Sequence, residues 1–220
     1  SGAWNGHLSA WHMTYDGYRD QSRTEKMMLN GKAGYQLGPG RRLETVFTAY
    51  DQPTGEDPGG LTRAEVRADR RQADTEAETL DAGQTVNQQR LGLIYRDTRS
   101  LPGELELTSF YTRRDFEQQL PFPGPSLLGY ERDFYGLSAE YRDQARVAGR
   151  PLDWTLGTAF REQRDDRARF LVGSNGEQGD RIQDALEKAT SSAVYGQLDL
   201  AVTDTLSMML GGRYDHVRFR

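Results

Sequence analysis

The chain has 220 residues, a formal net charge of -5 and a sequence pI near 5.3, a balance that argues against a general nucleic-acid binder. Hydrophobic residues are only 35% of the total and mean hydropathy is -0.81, wrong for an ordinary globular core, while 10% aromatics spread along the length are too many for a disordered chain. No stretch approaches the ~20 apolar residues that a membrane helix needs, and the absence of cysteine excludes thiol catalysis, disulfides and cysteine-based metal sites.

In chain order, Ser1-Gly2-Ala3-Trp4 reads as the opening of a strand rather than as a secretory leader. The chain is therefore expected to be mature or an internal fragment. Period-two alternation, the mark of a strand with two unlike faces, is clearest in five segments. Met27, Leu29, Ala33, Tyr35 and Leu37 oppose Asn30, Lys32, Gly34 and Gln36. Leu91, Leu93 and Tyr95 oppose Arg90, Gly92 and Arg96. Tyr135, Leu137, Ala139 and Tyr141 oppose Gly136, Ser138, Glu140 and Arg142. Leu152, Trp154, Leu156 and Phe160 oppose Asp153, Thr155, Gly157 and Arg161, and Leu206, Met208, Leu210 and Tyr214 oppose Ser207, Gly211, Arg213 and Asp215. Weaker segments at 3–15, 42–51, 104–116 and 192–202 bring the expectation to about nine strands of roughly 10–14 residues. A tilted membrane-crossing strand needs about 9–11 residues, whereas soluble strands peak near about 5–6.

The connections alternate in length. Tight turns are expected at Gly38-Pro39-Gly40, at 99–103, at Ala148-Gly149-Arg150 and at Thr203-Asp204, with long loops at 16–24, 52–86, 118–131 and 164–190. That sorting fits an antiparallel transmembrane β-barrel with short periplasmic turns and long extracellular loops; a soluble sandwich has no reason for it. Tyr15, Tyr50, Tyr95, Tyr111, Tyr141 and Tyr214 fall near strand ends, where barrels carry aromatic girdles. Thr62-Arg63-Ala64-Glu65 fits a helix capping box, and Asp180 is placed to cap a second turn through Ile182, Ala185 and Leu186.

The last thirty residues carry a resemblance. Tyr195-Gly196-Gln197-Leu198, Val202-Thr203-Asp204-Thr205-Leu206 and Gly212-Arg213-Tyr214-Asp215 resemble a hairpin of the TonB-dependent outer-membrane receptors. Asp16-Gly17-Tyr18-Arg19 is similar to the start of a loop in the same family, and Pro58-Gly59-Gly60-Leu61-Thr62, with Glu65 and Asp69, is similar to a loop of its ferric-citrate and siderophore branch. The resemblance implies a 22-stranded barrel with a plugged lumen in the bacterial outer membrane. It implies energised uptake of a scarce nutrient, most readily a ferric siderophore, driven by the inner-membrane TonB complex acting on the plug. About nine strands do not make that barrel, and these 220 residues hold no recognisable plug. Residues 1–220 are therefore expected to be part of one barrel domain, with the plug and the remaining strands absent.

No enzyme, cofactor or metal site is expected. His7 and His12 are five apart, so a strand turns them to opposite faces, away from zinc-ligand spacing. Asp215 and His216, the only echo of an outer-membrane protease pair, are strand neighbours that point apart. Asn175-Gly176-Glu177-Gln178-Gly179-Asp180 lacks the ligand pattern of a calcium loop and reads as a turn. Arginine binds carboxylates bidentately, so the candidate ligand contacts are loop and rim residues: Tyr18, Arg19, Arg63, Arg67, Arg113, Arg114, Phe122, Tyr130, Arg161 and Arg164. Ion pairing with Asp69, Asp74, Glu76, Asp165 and Asp166, or contact with lipid and lipopolysaccharide, accounts for arginines that bind no ligand. Arg90, Glu140, Arg142 and Arg161 are expected to line the wall or touch the plug. The rivals are a passive porin or structural barrel and, further off, a soluble β-sandwich binding module.

Overall fold

A computed structural model describes residues 3–220; Ser1 and Gly2, part of the expected strand opening, lie outside the described residues. Nine strands follow in chain order: β1 (Trp4–Tyr15), β2 (Thr24–Gly38), β3 (Arg41–Gly55), β4 (Gly83–Asp97), β5 (Glu104–Gln119), β6 (Gly124–Val147), β7 (Arg150–Val172), β8 (Gln178–Ala201) and β9 (Ser207–Phe219). They form one antiparallel sheet in which each strand pairs with its neighbours in sequence. Two short helices, α1 (Arg63–Ala68) and α2 (Thr75–Thr79), lie between β3 and β4.

The short turns fall where expected. Between β6 and β7, Ala148 and Gly149 both take positive φ (51° and 79°), the two-residue turn whose twist matches a hairpin. At the opposite end two expectations are corrected. Segments 118–131 and 164–190 are not long loops: β5 runs to Gln119, β6 starts at Gly124, β7 runs to Val172 and β8 starts at Gln178. Asp180, Ile182, Ala185 and Leu186 are strand residues, not a helical turn. The strands run from 12 to 24 residues rather than 10–14. The reason is that these extensions mix charged, aromatic and aliphatic residues on both faces, so they carry no clean hydrophobic period, and they are held by the backbone ladder with cross-strand pairs such as Arg132–Asp165 and Phe116–Tyr130. A 24-residue strand tilted at about 45° rises roughly 55 Å, against an apolar band of about 25 Å.

The register assigns each strand residue to one of two faces. One face is apolar over a fixed height. On β5 it shows Leu105, Leu107, Ser109 and Tyr111, then Arg113; on β6 Ala145, Asp143, Tyr141, Ala139, Leu137 and Tyr135, then Asp133; on β7 Leu152, Trp154, Leu156, Thr158 and Phe160, then Glu162. The band therefore ends in charge within one step of the ladder across neighbouring strands, Arg113 level with Asp133 and Glu162 one step lower, opposite Tyr135. At its short-turn margin the Tyr95 hydroxyl donates to Asp97 (2.9 Å), the Tyr141 hydroxyl donates to Asp143 (3.1 Å), and Tyr141 packs on Trp154 (5.3 Å between rings). Tyr95, Tyr111, Tyr141 and Tyr214 thus take the girdle positions expected of them. Tyr15 and Tyr50 do not, since the register turns them to the polar face, where the Tyr50 hydroxyl donates to Gln52 (2.8 Å). Tyrosine suits strands on either face.

A small apolar cluster lies at the long-loop end, where Leu80 packs with Leu127 and Val172 against Phe170. It ties the β3–β4 connection to the strand tips.

Candidate functional site: the polar face

The polar face has two levels. Near the short turns its charges are balanced and paired. Glu44, only 5% exposed, meets Lys32 (2.9 Å), Arg42 (2.9 Å) and Arg96 (3.4 Å). Arg96 also meets Glu106 (2.7 Å), and Arg142 meets Glu140 and Glu104. The Tyr195 hydroxyl donates to Glu140 (2.6 Å). Four cations (Lys32, Arg42, Arg96, Arg142) meet four carboxylates (Glu44, Glu104, Glu106, Glu140), so this level is neutral.

Further up, the same face of β4–β7 turns cationic and aromatic. Arg90 lies over Phe110 (5.2 Å), Arg114 over Phe116 (5.5 Å) and Arg132 over Tyr130 (4.7 Å). Phe116 stacks on Tyr130 at 5.0 Å, and Phe110 meets Phe134 edge-on at 4.9 Å. Arg167 pairs across the ladder with Tyr130, and Arg169 with Leu128. Two carboxylates answer the five arginines: Asp165 takes Arg132 through two bonds (2.8 and 2.6 Å), and Glu187 lies 3.6 Å from Arg167. The belt carries +5 - 2 = +3. The Nε atoms of Arg114, Arg167 and Arg169 are buried without a hydrogen-bond partner, and a buried unsatisfied donor is costly. The arrangement can hold an anion with planar faces, by charge-assisted hydrogen bonds and by stacking.

The ten predicted contacts divide by strand parity and by loop. Arg114, Tyr130 and Arg161 lie on the polar face, the first two within the belt. Arg113 and Arg164 lie on the other face. Arg113 is taken up by Asp115 (3.3 Å), Asp133 (3.1 Å) and Glu131, and Arg164 stands opposite Asp133. Arg19 ties loops together, its guanidinium donating to the carbonyls of Pro58 (2.9 Å), Gly59 (2.8 Å) and Gln72 (2.9 Å). Tyr18 lies under Arg71 (5.7 Å). Arg63 and Arg67 are on exposed α1, and Phe122 is at the exposed β5–β6 tip. Arg132, Phe110 and Phe116 were missed. Counting by twos from Leu107 and Tyr111 puts Phe110, Arg114 and Phe116 together on the opposite face, a signal available without a structure.

An apolar belt that ends in charge at both margins, backed by a charged interior face, is the wall of a membrane-spanning β-barrel; the interior face lines its lumen. The chain belongs to the family described as "TonB dependent receptor-like, beta-barrel", whose family model matches residues 14–220. Among solved structures it is similar to the ferric citrate transporter FecA in the unliganded form, with 17% identity, 98% of this chain and 32% of that chain covered, and a TM-score of 0.84. It is also similar to the ferripyoverdine receptor of the outer membrane of Pseudomonas aeruginosa (13% identity, 100% and 34% covered, TM-score 0.77) and to the copper transporter OprC (13%, 96% and 32%, TM-score 0.61). At these identities the likeness is one of fold. The chain spans about a third of the length of these structures.

Proposed function

We propose that residues 1–220 form part of one barrel domain in a receptor of the bacterial outer membrane, and that this receptor takes up an anionic ferric chelate of the siderophore or citrate type by TonB-driven transport. The supporting observation is the +3 arginine–aromatic belt on the luminal face, set above a neutral, internally paired level. A cationic surface in a narrow lumen concentrates anions, and the unpartnered Nε groups favour a ligand that brings carboxylate or phenolate oxygens. Family membership supports the energised route: a plug outside these residues would be the part the TonB complex pulls. No bond is made or broken in this reading.

The test is uptake of radioactive ferric citrate and of anionic and cationic ferric chelates by cells carrying the intact receptor. Uptake is expected to saturate, to favour anionic chelates and to stop when the proton-motive force is collapsed. Uptake that rises linearly with concentration and survives loss of that force would replace this reading with a passive barrel.

A further inference from the structure

We infer that Arg19 is a positioning residue for ligand capture: it anchors the β3–β4 connection as a strap that holds the tip of β6–β7, and with it Arg167 and Arg169 of the luminal belt. The inference rests on the transport reading above. The strap is fastened first to the β1–β2 connection. Besides the three bonds from Arg19, its Arg71 carbonyl accepts from the Asp20 amide (2.7 Å) and its Asp81 carboxylate accepts from the Gln21 side-chain amide (2.9 Å). Its interior closes on itself. Ala73, Ala77, Leu80 and Ala82 are buried, the Asp74 amide donates to the Pro58 carbonyl (2.9 Å), and the Asp57 amide donates to that of Ala82 (2.8 Å). Pro58 and Gly59, which accept from Arg19, thus belong to one folded unit with α2 and Leu80.

The far end of that unit reaches the strand tips. Leu80 packs with Leu127, Val172 and Phe170. Leu127 and Phe170 pair across β6–β7, while Arg169 pairs with Leu128 on the opposite face, so Leu80 grips the tip from behind the luminal arginines. Gly176 in the β7–β8 turn also comes close, since a Cβ there would lie 2.9 Å from the Thr79 carbonyl. The tip needs such a hold. It rises past the apolar band, and strand ends with few buried apolar contacts open locally at little cost. The Nε groups of Arg167 and Arg169 have no hydrogen-bond partner among the described residues, so their aim depends on where the strand places them. A fixed tip presents them ready for a ligand and lowers the ordering cost of binding. Lysine is a poor substitute for Arg19, because the planar guanidinium fork serves three carbonyls at once.

The test combines saturation of ferric citrate uptake by cells carrying the intact receptor with hydrogen exchange of that receptor after purification. Arg19→Gln is expected to raise the half-saturation concentration about fivefold and leave the maximal rate unchanged, as loss of preorganisation does. Leu80→Ala should do the same from the other end of the strap, and the double variant should be no worse than either alone, because both break one linkage. Arg19→Lys should recover little. A short bismaleimide bridge between Gln21→Cys and Asp81→Cys should return Arg19→Gln to the wild-type value. Without any ligand, Arg19→Gln and Leu80→Ala should each lower protection of the backbone amides at the β6–β7 tip. Insertion is checked by the heat-dependent gel shift of a folded barrel; if Arg19→Gln does not insert, Arg19→Lys is measured in its place. An unchanged or lowered half-saturation concentration, effects that multiply in the double variant, or unchanged protection of the tip would overturn the strap. Arg114→Gln, which acts on the belt directly, separates this outcome from failure of the transport reading.

Discussion

Arg113 and Arg114 are adjacent in the chain and face different media. On β5 the first points to the belt face and is surrounded by Asp115, Glu131 and Asp133; the second points into the lumen over Phe116 with an unpartnered Nε. Removing a charge-assisted hydrogen bond to a ligand is worth roughly tenfold or more in affinity. Arg114→Gln is therefore expected to raise the half-saturation concentration for an anionic ferric chelate about tenfold, and Arg113→Gln by less than about twofold. Equal effects would show that the luminal arginine–aromatic surface is not the binding surface. This pair also marks what the sequence makes legible. The arginine clusters stand out by composition, but their sorting needs strand parity, and parity is clear only when it is counted from an apolar stripe. Where β6 and β7 rise beyond that stripe, as at Arg132, Arg167 and Arg169, no hydrophobic period anchors the count. Arg19 fails differently. An exposed-looking arginine in a loop reads as ligand contact, and nothing local announces three carbonyl acceptors 39 to 53 residues further along the chain.

At the scale of elements, the capping box was legible because its bonds are local. The Glu65 amide donates to the Thr62 hydroxyl (3.3 Å) and the Thr62 amide donates to the Glu65 carboxylate (2.6 Å). The side chain and then the backbone of Thr62 hold the Glu65 carboxyl below its ordinary value. A carboxyl with a folded pKa below its unfolded value contributes stability that is full above the unfolded value, near pH ~4.3, and is lost as pH falls through the folded value. The amides of Val66 and Asp69, which close the first turns of α1 on Thr62 and Glu65 (3.0 and 2.9 Å), are expected to be protected from hydrogen exchange at about pH 6 and to lose protection below about pH 4. Glu65→Gln should flatten that dependence, and Thr62→Ala should remove about 1 kcal/mol of local helix stability at neutral pH. Protection factors that stay constant across this range would show that α1 is held by its neighbours and not by the box. The strand extensions had no such local signature. Asp180 looks like a helix cap only while its partner strand is ignored. Once β7 supplies the ladder from Val172 down to Leu152, with Phe170 opposite Arg181 and Val172 opposite Gln178 on either side of Asp180, backbone pairing outweighs a weak turn preference.

At the scale of the molecule, every strand pairs only with its sequence neighbours, so the sheet has two free edges, β1 and β9. Within the apolar band each edge presents about four or five N–H and as many C=O groups, since alternate residues along a crossing of about 9–11 point away from the only partner. In hydrocarbon there is no water to satisfy them, and each costs several kcal/mol. A few such groups exceed the ~5–15 kcal/mol that stabilises a typical domain. Closure is therefore what makes the apolar belt compatible with a bilayer, and these nine strands alone do not close. The segment expressed by itself and refolded into liposomes is expected to give no protease-resistant monomer and no heat-dependent gel shift, whereas the intact receptor gives both. A stable inserted monomer of 24.9 kDa would mean that β1 and β9 find each other or are otherwise satisfied. That outcome would overturn the open-edge argument, while the transport reading, which concerns the intact receptor, is decided by its own uptake measurement.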